Sequence, residues 1–210
     1  MPVSRSDPTR IASEPEVASM DWEALETAVA GCRRCGLCAS RQRTVFGTGP
    51  ARSRWMIVGE APGAEEDARG EPFVGQAGRL LDAMLASLGL SRQRNVYITN
   101  VLKCRPPGNR NPEPDEVERC VPFLRRQVEL LQPAGILLMG RFAAQALLGT
   151  DASIASLRGR VHTCRIGDQA VPAVVTYHPA YLLRNLPDKA KAWADLCLAR
   201  ERFAPTTQGR

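Results

Sequence analysis

Two groups of residues have types and spacings that can do chemistry. The first is a C-x2-C pair, Cys32 and Cys35, followed much later by Cys104 and Cys120. A C-x2-C knuckle lets two thiolates bind one centre, and two distant cysteines can complete a four-thiolate site suited to zinc or to an iron–sulfur cluster. Spacing does not choose between the two. Cys38, three residues past Cys35, is a rival ligand, whereas Cys164 and Cys197 read as apolar fillers. The second group follows apolar runs: GEAPGAEEDARGEPFVGQAG at 59–78, TNVLKCRPPGNRNP at 99–112 and YHPAYLLR at 177–184. His178 follows a branched run and precedes Pro179, which sets an imidazole at a strand end; His162, in RGRVHTCRIG, reads as strand or surface packing. The first of these segments sets five acidic side chains among five glycines in a chain of formal net charge +6.

The elements that must position these groups follow from hydrophobic patterning. Four short apolar runs closed by turn signals, at 55–59, 96–100, 135–140 and 171–179, are expected to be buried strands. Helical patterns lie between them at 78–90, 113–131 and 141–149, with further helices at 21–31, started by Asp21 and stopped at Gly31, and at 188–203. Strands alternating with helices predict a three-layer α/β/α domain around a central, mainly parallel four-stranded sheet. Ligands of such sheets sit beyond the carboxyl ends of the strands, so the three polar segments should converge on one rim.

At 210 residues the chain is expected to hold one domain over 21–204, between a disordered tail at 1–20 and a short tail at 205–210. The N-terminal stretch has no apolar run long enough for an export signal or a membrane span, so a cytoplasmic protein with reduced thiols is expected. Seven cysteines then need a reading other than a disulfide framework. The basic excess is almost all arginine, since only Lys103, Lys189 and Lys191 are lysines, and a pI near 9.2 fits a polyanionic partner.

The motifs C-x2-C, VFGTGP, GEAPG-x2-ED-x2-G-x-PFVG-x-AG-x-LLD, TNVLKCRPPGNRNP and YHPAYLLR, in this order over about residues 32–200, strongly resemble the family 4 uracil-DNA glycosylases. These are the iron–sulfur members of the uracil-DNA glycosylase superfamily. The resemblance implies a monomeric repair enzyme that flips uracil out of single- or double-stranded DNA and leaves an abasic site. It implies a 4Fe–4S cluster on Cys32, Cys35, Cys104 and Cys120, structural in role, with zinc as the alternative. Phe73 resembles the ring that stacks on uracil. Asn100 has an amide matching uracil O4 and N3–H while mismatching cytosine. His178 is placed against uracil O2, where negative charge grows as the glycosidic bond breaks.

The same resemblance leaves the water unassigned. Better-known superfamily members carry an activating Asp at the position of Ala61, which cannot act as a base. Glu60, whose backbone is expected to read the uracil edge, Glu66 and Asn109 are the candidates for placing water. The acids of the loop are expected to face a sugar that becomes cationic. Leu182, Leu183 and Arg184 resemble the segment that fills the gap left by the flipped base, and Arg105, Arg110 and Arg184 are candidates to hold phosphates in a salt-dependent contact.

Three rivals stand against this. A uracil-DNA trap that links the sugar to a histidine is disfavoured, because residues 103–114 contain none. A replication-associated module is disfavoured by the complete set of rim motifs. A phosphate-binding α/β protein ranks last, because the glycine-rich stretch lacks a P-loop ending and dinucleotide spacing.

Overall fold

The computed structural model describes residues 13–203. In chain order the helices are α1 Glu14–Ser19, α2 Trp22–Ala30, α3 Ala64–Arg69, α4 Gln76–Ala86, α5 Pro114–Leu131, α6 Arg141–Leu148, α7 Ile154–Leu157, α8 Pro179–Leu182 and α9 Lys189–Phe203. The strands are β1 Trp55–Gly59, β2 Val96–Asn100, β3 Gly135–Met139, β4 Val161–Ile166 and β5 Gln169–Thr176.

Every residue of β1, β2 and β3 is buried, as expected of strands covered on both faces. The sheet order is β2-β1-β3-β5-β4, parallel except where β4 pairs antiparallel with β5. On one face Met56, Val58, Ile136 and Leu138 pack with residues of α1, α2, α5 and α6. On the other, Trp55, Ile57, Leu137 and Val174 pack with α4 and α9. Consecutive strand residues serve opposite faces, so each apolar run supplies both cores.

Among the described residues the sheet has five strands, one more than expected. The added strand, VHTCRI, is an edge strand that buries only Cys164 and Ile166. Val161, Thr163 and Arg165 are exposed and His162 is half-buried, so it lacks the continuous apolar run of a central strand. Part of the stretch expected to be disordered also forms structure: Pro15 lies in the first turn of α1, and Val17 is fully buried against the core. Residues 1–12 and 204–210, which include the rest of both expected tails, lie outside the described residues. The acidic segment contains a short helix, α3, with Glu65, Glu66 and Asp67 in its first turn, where the helix dipole favours negative charge.

β2 lies on one side of β1 and β3 on the other, so the chain reverses direction across the sheet at β1. The carboxyl ends flanking that switch point are the ligand-binding edge of such sheets. The far side is closed by a buried ion pair: Arg158 Nε donates to Asp195 Oδ2 at 2.7 Å, Gly159 N–H donates to Oδ1 at 3.2 Å, and the guanidinium stacks on Tyr177. This ties α9 to the turn before β4. Asp195→Ala leaves the Arg158 charge unpaired and is expected to lower stability by about 3–5 kcal/mol, read as a shifted urea midpoint at unchanged slope.

Candidate active site

Parallel pairing in register sets Gly59, the last residue of β1, beside Asn100, the last residue of β2. Asn100 is 1% exposed, yet its Oδ1 has no hydrogen-bond partner. A buried amide oxygen left unpaired is costly, and its usual explanation is a ligand or an ordered water. Gly59 is required here by close approach: a Cβ would lie 2.4 Å from Asn100 Oδ1 and 2.6 Å from Phe73 Cζ. The Phe73 ring in turn stacks on His178, with centroids 5.4 Å apart and planes 29° apart. Three of the expected base-binding residues therefore gather at one rim, Asn100 from the end of β2, Phe73 from the loop between α3 and α4, and His178 from just past β5.

Phe73 holds a left-handed backbone, φ 55°, which a non-glycine residue adopts only when its surroundings enforce it. Arg92 supplies one constraint, donating to the carbonyls of Phe73 at 2.8 Å and Pro72 at 3.1 Å while also bonding Glu71 and Asp82. Glu66 supplies another: its carboxylate accepts from the N–H groups of Gly63, Val74 and Gly75 at 3.0, 2.9 and 3.1 Å. Gly78 completes the set, since a Cβ there would lie 1.7 Å from the Phe73 carbonyl oxygen. Arg92 escaped the sequence reading because it lies outside every motif and acts only through backbone.

Asp67, 1% exposed, accepts from Gln42 N–H at 2.9 Å and Arg43 N–H at 3.4 Å. The expectation that the loop acids face a sugar is thus corrected for two of them, whose oxygens are engaged with backbone donors. Glu60 differs. It is half-buried just past the end of β1; its main-chain oxygen accepts from Leu102 N–H at 3.0 Å, its carboxylate has no hydrogen bond or ion pair among the described residues, and burial raises that carboxyl above the ordinary range against a lowering pull from Arg141. Ala61, next to it, offers no side-chain base.

His178 caps α8, and its Nδ1 accepts from Ala180 N–H at 3.2 Å. That bond assigns the tautomer, leaving Nε2–H as the ring's donor. Burial, aided by Arg184 and opposed by Glu66, pushes the imidazole down to about 4. Gly140, at the end of β3 with φ 92°, would bring a Cβ to 3.3 Å from His178 Cβ, so the ring is packed closely against the neighbouring strand end.

The remaining candidates separate. Leu182 is 1% exposed and belongs to the core, whereas Leu183 is 42% exposed. Arg184 is exposed and makes no ion pair among the described residues. Arg110 is engaged by both oxygens of Glu116, at 2.9 and 2.6 Å, and also bonds Glu113. Asn109 is exposed in a 3₁₀ turn, Pro107–Asn109, where its Oδ1 accepts from Arg105 Nε at 2.8 Å and its N–H donates to the Pro106 carbonyl at 3.0 Å.

Cys32, Cys35, Cys104 and Cys120 line one pocket, together with Cys38, Arg41 and Phe123. Arg41 Nη1 donates to Cys104 Sγ and the Lys103 N–H to Cys120 Sγ, both at 3.3 Å. Burial pushes the thiols up, Cys104 to about 11 and Cys120 to about 12, and neighbouring cysteines push the same way. Without a bound cation they stay protonated at neutral pH; a metal would displace those protons. The donors, the burial and the N–H groups aimed at sulfur fit a thiolate-bound inorganic group. Among the described residues, no three His, Cys, Asp or Glu side chains converge as a site for a single ion.

An aromatic ring, an unpaired buried amide oxygen and a neutral imidazole thus meet at the switch point of a mainly parallel α/β sheet, the edge where such folds bind their ligands. The chain belongs to the uracil DNA glycosylase superfamily, whose family model matches residues 46–197. It is 46% identical over 159 residues to the Type-4 uracil-DNA glycosylase of Archaeoglobus fulgidus, covering 74% of this chain and 79% of that one. The Type-4 uracil-DNA glycosylase of Pyrobaculum aerophilum is 42% identical over 183 residues, 85% of this chain and 93% of that one. A DNA polymerase of Bacillus phage SP01 is 30% identical over 139 residues, 66% of this chain but only 14% of the polymerase.

The depressed imidazole gives a pH dependence. The unfolded ring binds its proton near 6.5 and the folded ring near 4, so stability falls as pH drops through that window. Above it, His178 stays a neutral Nε2–H donor. Nitrogen-detected NMR should show an unprotonated Nδ1 and a protonated Nε2 down to about pH 5; a ring that titrates near 6.5 would place His178 in solvent.

Proposed function

We propose that this protein is a uracil-DNA glycosylase of DNA repair, which rotates uracil out of DNA and hydrolyses its N-glycosidic bond. The unpaired, buried Asn100 amide beside Phe73 and His178 carries this reading. Uracil offers O4 and N3–H to such an amide and a face to the phenyl ring, whereas cytosine presents the opposite donor and acceptor. As the C1′–N1 bond breaks, its electron pair moves onto uracil and His178 Nε2–H donates to O2. Water adds to C1′ and passes its proton to the Glu60 carboxylate, from which it reaches the departed uracil anion or solvent. With Glu66 held by three N–H groups and Ala61 unable to help, Glu60 is the carboxylate free to face the cationic sugar and the water. Glu66 and Arg92 then position the loop without touching the reacting atoms.

DNA is held by Arg105 and Arg184, with Leu183 as the side chain that fills the vacated stack. Arg110, neutralised by Glu116, braces the proline loop. Cys32, Cys35, Cys104 and Cys120 would hold a 4Fe–4S cluster, which would tie the end of α2 to the loop after β2 and to α5. The enzyme works as a cytoplasmic monomer. Among the described residues no helix is long and apolar enough to cross a membrane.

Single-turnover cleavage of a uracil-containing oligonucleotide, followed by alkali, tests the chemistry. His178→Ala should slow it about 100- to 1,000-fold and Glu60→Gln about 100-fold. An intact rate for His178→Ala removes the histidine from the mechanism, and a covalent protein–DNA band in place of scission indicates a trap. Purified protein should also carry iron and a visible absorbance that bleaches on reduction. Colourless protein with stoichiometric zinc would overturn the cluster.

A further inference from the structure

We infer that Lys103 is a positioning residue for base selection, acting through Asn100; this deepens the proposed reading of uracil and rests on it. Lys103 is 1% exposed, and its Nζ lies within hydrogen-bond distance of three acceptors: Thr99 Oγ1 at 2.6 Å, Gln127 Oε1 at 2.7 Å and the main-chain oxygen of Asn100 at 2.8 Å. A fully buried lysine is rare unless its donors are matched, and these acceptors match them. One of the three bonds falls on the backbone of the residue whose side-chain oxygen is left unpaired.

The acceptors are themselves fixed. Gln127 Nε2 donates to the Phe46 carbonyl at 2.9 Å and to Tyr97 Oη at 3.1 Å, and Thr99 Oγ1 donates to the same Phe46 carbonyl at 2.8 Å. The main chain of Lys103 is pinned as well, its N–H to Cys120 Sγ and its carbonyl accepting from Val45 N–H at 2.8 Å. Asn100 ends its strand and has no hydrogen-bond partner for Oδ1, so no bond to that oxygen fixes its amide. Its aim comes from the backbone, set beside Gly59 by the strand register and held by Lys103 at its main-chain oxygen. An amide that swings could offer either its oxygen or its nitrogen to the base, and the distinction between uracil and cytosine would fade.

The test measures binding rather than turnover. Oligonucleotides carrying 2′-fluoro-2′-deoxyuridine, whose glycosidic bond resists hydrolysis, or the matching 2′-fluoro cytidine, give a ratio of dissociation constants for the holoprotein. Asn100→Ala should lower the preference for uracil about 10- to 100-fold, Lys103→Met about 10-fold, and the double variant no further than Asn100→Ala alone. Lys103→Met that keeps the preference, or whose loss adds in full to that of Asn100→Ala, overturns the inference. Should Lys103→Met lose its visible absorbance or fail to fold, Thr99→Val, nearly the same shape but lacking one acceptor, takes its place and must show a partial, non-additive loss. An unchanged preference in Asn100→Ala alone removes Asn100 as the reader, a failure of the base reading itself and distinct from that of Lys103.

Discussion

The left-handed backbone at Phe73 is the constraint on which the rest of the site depends. A non-glycine residue in that conformation costs about 1–3 kcal/mol and persists only where its neighbours over-determine it. Arg92 fixes the carbonyl of Phe73, Glu66 fixes the two N–H groups that follow, and Gly78 leaves the space its carbonyl needs. The strain is therefore offset by ionised groups bound to backbone, among the stronger hydrogen bonds available. What results is one aromatic ring set against Gly59 and stacked on His178.

An acidic loop in a basic protein becomes intelligible on the same terms. Glu66 and Asp67 stand in the first turn of α3, where the helix dipole favours them, and their oxygens gather backbone donors from three separate segments. Glu71 and Asp82 hold Arg92 in place. Most of the negative charge thus neutralises internal donors and adds little repulsion towards a polyanion. Among the acids of this loop, Glu60 keeps a carboxylate with no hydrogen bond or ion pair among the described residues, just past the end of β1.

Strands and long helices were legible because their signal is local: the runs at 55–59 and 96–100 are observed with those bounds, and Asp21 caps α2 through Ala24 N–H. The edge strand β4 was not, because an exposed strand buries alternate residues and carries His, Thr and Arg like any loop. Side-chain roles were legible by type but not by direction. A Leu-Leu pair does not reveal that Leu182 packs inward and Leu183 outward, and nothing local shows Arg110 turning back onto Glu116. Glu66 and Arg92 act on backbone amides and carbonyls that any sequence could supply, so their partners left no trace in composition.

Ala61 and His178 are best understood as a pair. Without a carboxylate next to Glu60, general-base help is weak, and stabilisation of the departing ring must carry more of the rate. An imidazolium would be the stronger donor to uracil O2, but with a ring held down to about 4, only about one molecule in a thousand carries the proton at pH 7. A route through that species would give up roughly three powers of ten, about what a single oxyanion donor supplies. The neutral ring avoids the loss. Its acceptor bond from Ala180 keeps the proton on Nε2 throughout, and the packing of Gly140 and Phe73 fixes where that proton points before DNA arrives. In the proposed mechanism the histidine would act as a preset dipole, a role that suits a ring buried and close to Arg184, an environment hostile to its own protonation.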